Sequence, residues 1–320
     1  MLVQRRRPNR HPVHETRTRL IGRNMSKRIV RYRTANGAVE IGVRVSDQVF
    51  PIPVDTLGGL LMETKQEIDR IVGQAIWEGE PAESGIQLLP PVDGRMEVWA
   101  AGVTYRRSKD ARVEESTQAS VYELVYDAQR PELFFKAAPW RVVTNFDTLY
   151  IRNDSELNVP EPEFAVVVNA DGQIVGYTIC NDMSSRSIEG ANPLYLPQAK
   201  VYDNSCSLND GFVLADDDDE PDRAIVMEIL RENELVWYGQ SSTSQLKRAI
   251  PDLVKSARSN LDFPEGFILS TGTGIVPELE FTVRPGDIVV IRIDGLGKLI
   301  NPISIRPARE KQQSESLVTS

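Results

Sequence analysis

The stretch VPEPEFAVVV, residues 159–168, sets Glu161 and Glu163 two positions apart, bracketed by prolines, at the mouth of an apolar run. Residues i and i+2 of a strand point to the same face, so both carboxylates project together beside a segment that reads as buried. Like charges in that position require a cation or a shared proton. The run continues through Asp171-Gly172, a hairpin-turn dipeptide, into IVGYTICND. Counting back from the turn places Asn181 and Asp182 opposite the start of the first strand, so Glu161, Glu163 and Asp182 gather at one end of one hairpin. Three hard oxygen ligands with positions left for water or substrate make a magnesium-type site. On spacing alone, a solvated strand end with unrelated acids stands beside that reading. Lys200, in LPQAKVYD, has a largely uncharged neighbourhood. A lysine near a divalent ion and away from water has a lowered pKa and serves as a base; the alternative is a surface lysine. Glu132, directly before the apolar LFF, reads either as an acid/base group or as a charge finishing a turn. STGTGIV offers amides and hydroxyls to an anion but lacks the GxxxxGK[ST] pattern, so it is no P-loop, and a plain tight turn fits equally.

The rest of the composition narrows the chemistry. The two histidines, His11 and His14, lie at the extreme N-terminus. A folded core without histidine disfavours Ser-His-Asp and Cys-His catalysis and HExxH zinc chemistry. Carboxylates and lysines must then do any acid–base work, and oxygen ligands favour Mg2+, with Mn2+ and Ca2+ as alternatives, over zinc or copper. A net charge of -9 argues against a nucleic-acid partner. No apolar run approaches the ~20 residues needed to span a bilayer. Cys180 and Cys206 form no disulfide framework and fit a reducing cytoplasm as ordinary small residues.

Several elements must position these groups. Residues 1–26 are arginine-rich and aperiodic, which reads as a disordered tail or as a start placed too early, with Met25 the true beginning; an organellar transit peptide is the alternative. Residues 27–90 read as a small α+β module, with an antiparallel meander around Asn36-Gly37 and one periodic helix before the proline-rich LLPPVD. Residues 91–306 read as a larger, strand-dominated unit without βαβ alternation, followed by a polar tail over 307–320. The acidic run Asp216 to Glu220 lacks EF-hand spacing and reads as a solvated loop.

With these residues in place, a resemblance emerges. VPEPEFAVVV, GYTICNDMSSR, LPQAKVYD, STGTGIV and PGDIVVIRIDGLGKLINPI, in that order over roughly residues 97–305, resemble the fumarylacetoacetate hydrolase superfamily. That resemblance implies an α+β fold, a β-rich mixed-sheet roll with a small N-terminal α+β domain, usually assembled as a homodimer or homotetramer. It also implies that Glu161, Glu163 and Asp182 hold a magnesium or manganese ion.

AGVTYRRSKDAR, YDAQRPELFFKA and EGANPLYLPQAKVYD are similar to a narrower group, the 2-keto-3-deoxy-pentonate dehydratases, and the histidine of the hydrolytic branches is missing. The resemblance implies a small-molecule 2-oxo acid substrate. A 2-keto-3-deoxy sugar acid loses water through a metal-stabilised enolate to give 2-oxoglutarate semialdehyde. Lys200 would take the C3 proton and Glu132 would protonate the departing C4 hydroxyl, a role that needs a raised pKa. Thr273 is expected at the substrate carboxylate, Arg106 over the site, and Tyr105 and Phe135 as walls. This chain departs from the group at Ser187, at NSCSLND (204–210) with Gly211 following, and at TNFDTLY, which puts substrate choice in question. Two other readings stand beside the dehydratase. One is a C–C bond hydrolase, decarboxylase or isomerase acting on an acylpyruvate-like 2-oxo acid. The other is a non-catalytic metabolite-binding protein, which would need neither Glu132 nor Lys200.

Overall fold

The computed structural model describes residues 26–115, 119–216 and 222–307. The N-terminal stretch with both histidines, the acidic run beyond Asp216 and the polar tail beyond Pro307 lie outside the described residues. The chain opens with the expected meander, β1 (Arg28–Arg33), β2 (Val39–Val45) and β3 (Gln48–Pro51). Helices α1 (Leu57–Leu61) and α2 (Lys65–Glu78) follow. Each starts at a threonine, Thr56 or Thr64, whose side chain accepts a hydrogen bond from the first turn. β4 (Gln87–Leu89) returns to pair with β1.

Next come β5 (Glu97–Gly102), α3 (Arg106–Glu115), α4 (Ala119–Asp127), β6 (Glu132–Ala137), β7 (Val142–Val143), β8 (Leu149–Ile151) and β9 (Asn158–Val159). The central hairpin is β10 (Pro162–Val168) and β11 (Ile174–Asp182). β12 (Ser184–Ser185), α5 (Arg186–Ala191), α6 (Leu196–Lys200), β13 (Cys206–Leu208) and β14 (Phe212–Leu214) lead to the hairpin β15 (Ala224–Arg231) and β16 (Glu234–Ser242). Amphipathic α7 (Ile250–Ala257), which buries Ile250, Leu253, Val254 and Ala257, precedes β17 (Phe267–Ser270), β18 (Ile288–Ile293) and β19 (Gly297–Ile305).

Among the described residues the principal sheet runs β3-β2-β1-β14-β11-β10-β17-β5-β6, and a second runs β16-β15-β18-β19-β8. Both are mixed: β17 pairs parallel with β5 and β19 parallel with β8, while the remaining neighbours in these orders are antiparallel. The two sheets pack face to face through Phe164, Val166 and Val168 of β10 against Ile225, Met227 and Ile229 of β15. The alternate residues Ala165 and Val167 join the opposite cluster, with Leu57, Leu60 and Leu61 of α1 and Ile68 and Val72 of α2. The unbroken apolar run of β10 is therefore the signature of a strand covered on both faces. Burying it and its neighbours anchors the hairpin end that carries the acids. The 27–90 segment is joined to the rest edgewise, with Arg28 and Ile29 of β1 in register with Val213 and Phe212 of β14.

Candidate active site

Pro162 pairs with Asn181, and the Asp182 amide donates to the Glu161 carbonyl at 3.0 Å. That pairing sets the three acids at one end of the hairpin, all buried, with one ligand oxygen from each lying within 4.8 Å of the others. Two oxygens bound to one Mg2+ at about 2.1 Å are separated by at most about 4.2 Å, so small side-chain adjustments close the set. The donor chemistry fits a hard divalent ion.

Each carboxylate has its own surroundings. Glu163 Oε2 accepts from Ser270 Oγ at 2.5 Å and from the Gly272 amide at 2.9 Å. Burial, with Asp182 and Glu161 alongside, nevertheless pushes its carboxyl up to about 8. A group that resists ionisation in this way is one that a cation stabilises. Burial by itself would raise Glu161 too, but Lys200, Arg112 and Arg186 hold it well below the ordinary carboxylate range. Asp182 Oδ1 lies 2.5 Å from the wholly buried Lys136 ammonium.

Lys200 stands at the end of α6 and donates to Glu161 Oε2 at 2.8 Å, Asp182 Oδ2 at 2.9 Å and Ser184 Oγ at 2.6 Å. Burial alone would lower its pKa, yet Asp182, Glu161 and Glu189 together outweigh that and raise it above the ordinary lysine value. The lowered value expected from the sequence is that of a lysine beside a divalent ion; without the ion, the acid cluster holds the proton on Lys200. The sequence context of Lys200 is uncharged, but its spatial context is the acid cluster itself. Glu132 begins β6 opposite Gly102 of β5. A Cβ on Gly102 would come within 2.2 Å of Glu132 Oε2, so the glycine lets the carboxyl lie across the neighbouring strand. Burial first, then the charge of Glu189, pushes this carboxyl up to about 7.

One cavity is lined by all three acids together with Lys200, Glu132 and Thr273. Thr273, in the loop after β17, accepts from the Ile275 amide at 3.1 Å. Tyr105 is buried outside the cavity lining, and Arg106, at the start of α3, is exposed. Phe135 is not a cavity wall: its ring meets Trp99 edge-on, with centroids 6.2 Å apart. Phe134 lines the cavity instead, with the Lys200 ammonium 5.6 Å from its ring centre. The departures noted in the sequence also lie outside the cavity lining. Ser187 Oγ bonds Ser155 Oγ at 2.7 Å, and Asp210 pairs with Arg28 and Arg44 where the meander joins the sheet.

Sequence reasoning missed the buried cations. Arg112 Nη2 and Arg186 Nη2 each reach Glu161 Oε1 at 2.8 Å, and Arg112 Nε lies 3.1 Å from Glu189 Oε1. The period-two rule applied to ELFFK would have found Lys136 and Phe134, since positions 132, 134 and 136 of a strand share a face. Arg112 lies in a helix whose polar sequence singles out no face.

The model of the fumarylacetoacetate (FAA) hydrolase C-terminal family matches residues 97–304. A probable 2-keto-3-deoxyxylonate dehydratase of Haloferax volcanii is 47% identical over 244 residues, covering 75% of this chain and 84% of that protein. The 2-dehydro-3-deoxy-D-arabinonate dehydratase of Saccharolobus solfataricus is 39% identical over 226 residues, covering 69% of this chain and 76% of the relative. A solved 2-keto-3-deoxy-D-arabinonate dehydratase, complexed with magnesium and 2,5-dioxopentanoate, superposes with a TM-score of 0.74 at 31% identity, over 88% of this chain and all of that one (100%). The match spans well over half of the chain and takes in the strands and loops that bring the acids, Lys200 and Thr273 together: the chain belongs to the fumarylacetoacetate hydrolase family.

Proposed function

We propose that this chain is a divalent-metal-dependent hydro-lyase that converts a 2-keto-3-deoxy pentonate into 2-oxoglutarate semialdehyde, which is 2,5-dioxopentanoate. The observation that carries the reading is the meeting of three buried ligand carboxylates, Lys200 and Glu132 in one cavity. The dehydratase names of the relatives supply the substrate class. Glu161, Glu163 and Asp182 would hold a magnesium ion, which would supply Lewis-acid polarisation of the 2-oxo group; with Glu161 and Asp182 engaged as ligands, Lys200 would give up its proton more readily.

Lys200 takes a proton from C3. The electron pair of the broken C3–H bond forms the C3–C4 double bond as the C4–O bond breaks, and Glu132 gives its proton to the leaving oxygen, releasing water. A proton then leaves C5 and one returns to C3. The resulting 4,5-enol becomes the C5 aldehyde by protonation at C4 and loss of its O–H proton. Thr273 and the Gly272 loop bound the side of the cavity next to Glu163, where the substrate's carboxylate end is placed. Phe134 covers Lys200 and excludes water from the amine.

The same reading makes the enzyme a cytoplasmic homodimer or homotetramer. Two unpaired cysteines support the compartment, and the exposure of Trp140, Phe146 and Leu194 supports assembly. No helix of the described residues is long and apolar enough to cross a membrane. The deciding experiment supplies purified protein and Mg2+ with 2-keto-3-deoxyarabinonate or its xylonate epimer and follows the semialdehyde by coupled oxidation. Metal-dependent semialdehyde is expected. Pyruvate released from acylpyruvates, with no semialdehyde from either epimer, would select a C–C hydrolase.

A further inference from the structure

Glu189, in α5, lines the same cavity as Glu132 and Lys200 and is only 4% exposed. Its Oε1 is held by Arg112 Nε at 3.1 Å, while Oε2 is buried with no hydrogen-bond partner among the described residues. A buried carboxylate oxygen left unpaired is costly, and a carboxylate only accepts. The atom that completes it must therefore carry a proton. A divalent ion is already provided for by the three other acids, and Arg112 approaches from the Oε1 side. Glu189 lines the cavity, which leaves a ligand bound there to supply the donor.

We infer that Glu189 is a specificity-determining residue, its Oε2 accepting a hydrogen bond from the C5 hydroxyl of the substrate. This rests on the dehydratase reading, which puts hydroxyls on C4 and C5. The C4 hydroxyl accepts from Glu132 and leaves as water, so the C5 hydroxyl is the donor that stays through C–O cleavage and the one assigned to Oε2. Glu189 and Glu132 line the same cavity, and in the proposed binding mode the adjacent oxygens of one diol face the two carboxyl groups. A 2-oxo acid without that hydroxyl leaves Oε2 unpaired and is selected against. The product aldehyde has no proton at C5 oxygen to donate, so the contact is lost when the reaction ends and release is favoured.

The test compares 2-keto-3-deoxyarabinonate with its 5-deoxy analogue, 4-hydroxy-2-oxopentanoate, on the magnesium-loaded enzyme. The parent enzyme, Glu189→Ala and Glu189→Gln are each read by kcat/KM. Dissociation constants are read by calorimetry with Lys200→Ala added to halt turnover. The parent should favour the pentonate by about tenfold or more. That preference should fall to about one in Glu189→Ala, chiefly through KM, and drop severalfold in Glu189→Gln, which keeps an acceptor for Arg112. If Glu189→Ala does not fold, the Gln variant decides. An undiminished preference in the folded variants, or no preference in the parent, overturns the role of Glu189. Failure of the parent to dehydrate either compound would instead sink the dehydratase reading, and the binding ratios would still judge Glu189.

Discussion

Lys200 and the metal proposed for the three acids compete for the same carboxylates. Without a divalent ion the ammonium satisfies Glu161 and Asp182, and those carboxylates keep it protonated. Replacing it should therefore separate chemistry from metal binding. In Lys200→Ala, kcat is expected to fall by at least about 10²-fold, while the Mg2+ affinity read by calorimetry stays level or rises because a competitor is gone. Retained turnover would remove the lysine from the reaction. Glu132 makes a pH prediction. Its folded pKa is raised to about 7, and in the proposed role of general acid it must carry its proton. The declining, basic limb of kcat/KM is thus expected as pH rises through that value, whereas Glu132→Gln should be slow and lack this limb. A basic limb that survives in Glu132→Gln would assign it to another group.

At the scale of elements, β6 carries Glu132, Phe134 and Lys136 toward the site, and Leu133 and Phe135 away from it. Lys136 ties the strand to the acid end of the hairpin by its pair with Asp182, and to the link between β11 and β12 and the end of α6 by donating to the Met183 and Lys200 carbonyls. Lys136→Met keeps the length of the stem but leaves Asp182 Oδ1 without its cation in a dry interior. The expected cost is about 3–5 kcal/mol in urea unfolding without metal, partly recovered when Mg2+ is added. No loss would mean that the pair is not worth its desolvation.

The same strand explains what was legible beforehand. Glu161, Glu163 and Asp182 were readable because a hairpin turn and a period of two fix their positions from local sequence alone. Arg112 and Arg186 were not, since they meet Glu161 only through pairs 49 and 25 residues apart, and although Lys136 shares a strand face with Glu132 its pairing with Asp182 is equally non-local. Lys200 was singled out by its type, but its contacts with Glu161 and Asp182 join residues 39 and 18 positions apart and were not visible in its local sequence. Nor does the LPQAK stretch announce the short helix that aims it.

Over the whole molecule, the meander is part of the frame that holds the site. β1 pairs with β14, β14 with β11, and β11 ends in Asp182, so one ladder runs from the N-terminal segment to a ligand. Cys180 of β11 and Ala165 and Val167 of β10 lie in one apolar cluster with α1 and α2. Gly211 stands at this joint. A Cβ there would come within 2.3 Å of the Ile29 carbonyl oxygen in β1, and backbone of a paired strand cannot yield as a side-chain tip does. Arg28 and Arg44 reach Asp210 across the same seam. Gly211→Ala is therefore expected to cost about 1–3 kcal/mol by strain and to lower Tm. Because the cluster is shared, calorimetry should still record one transition, with the N-terminal and C-terminal segments unfolding together. If the substitution instead split melting into two steps and left metal binding intact, the meander would be an independent unit with no part in holding the ligands.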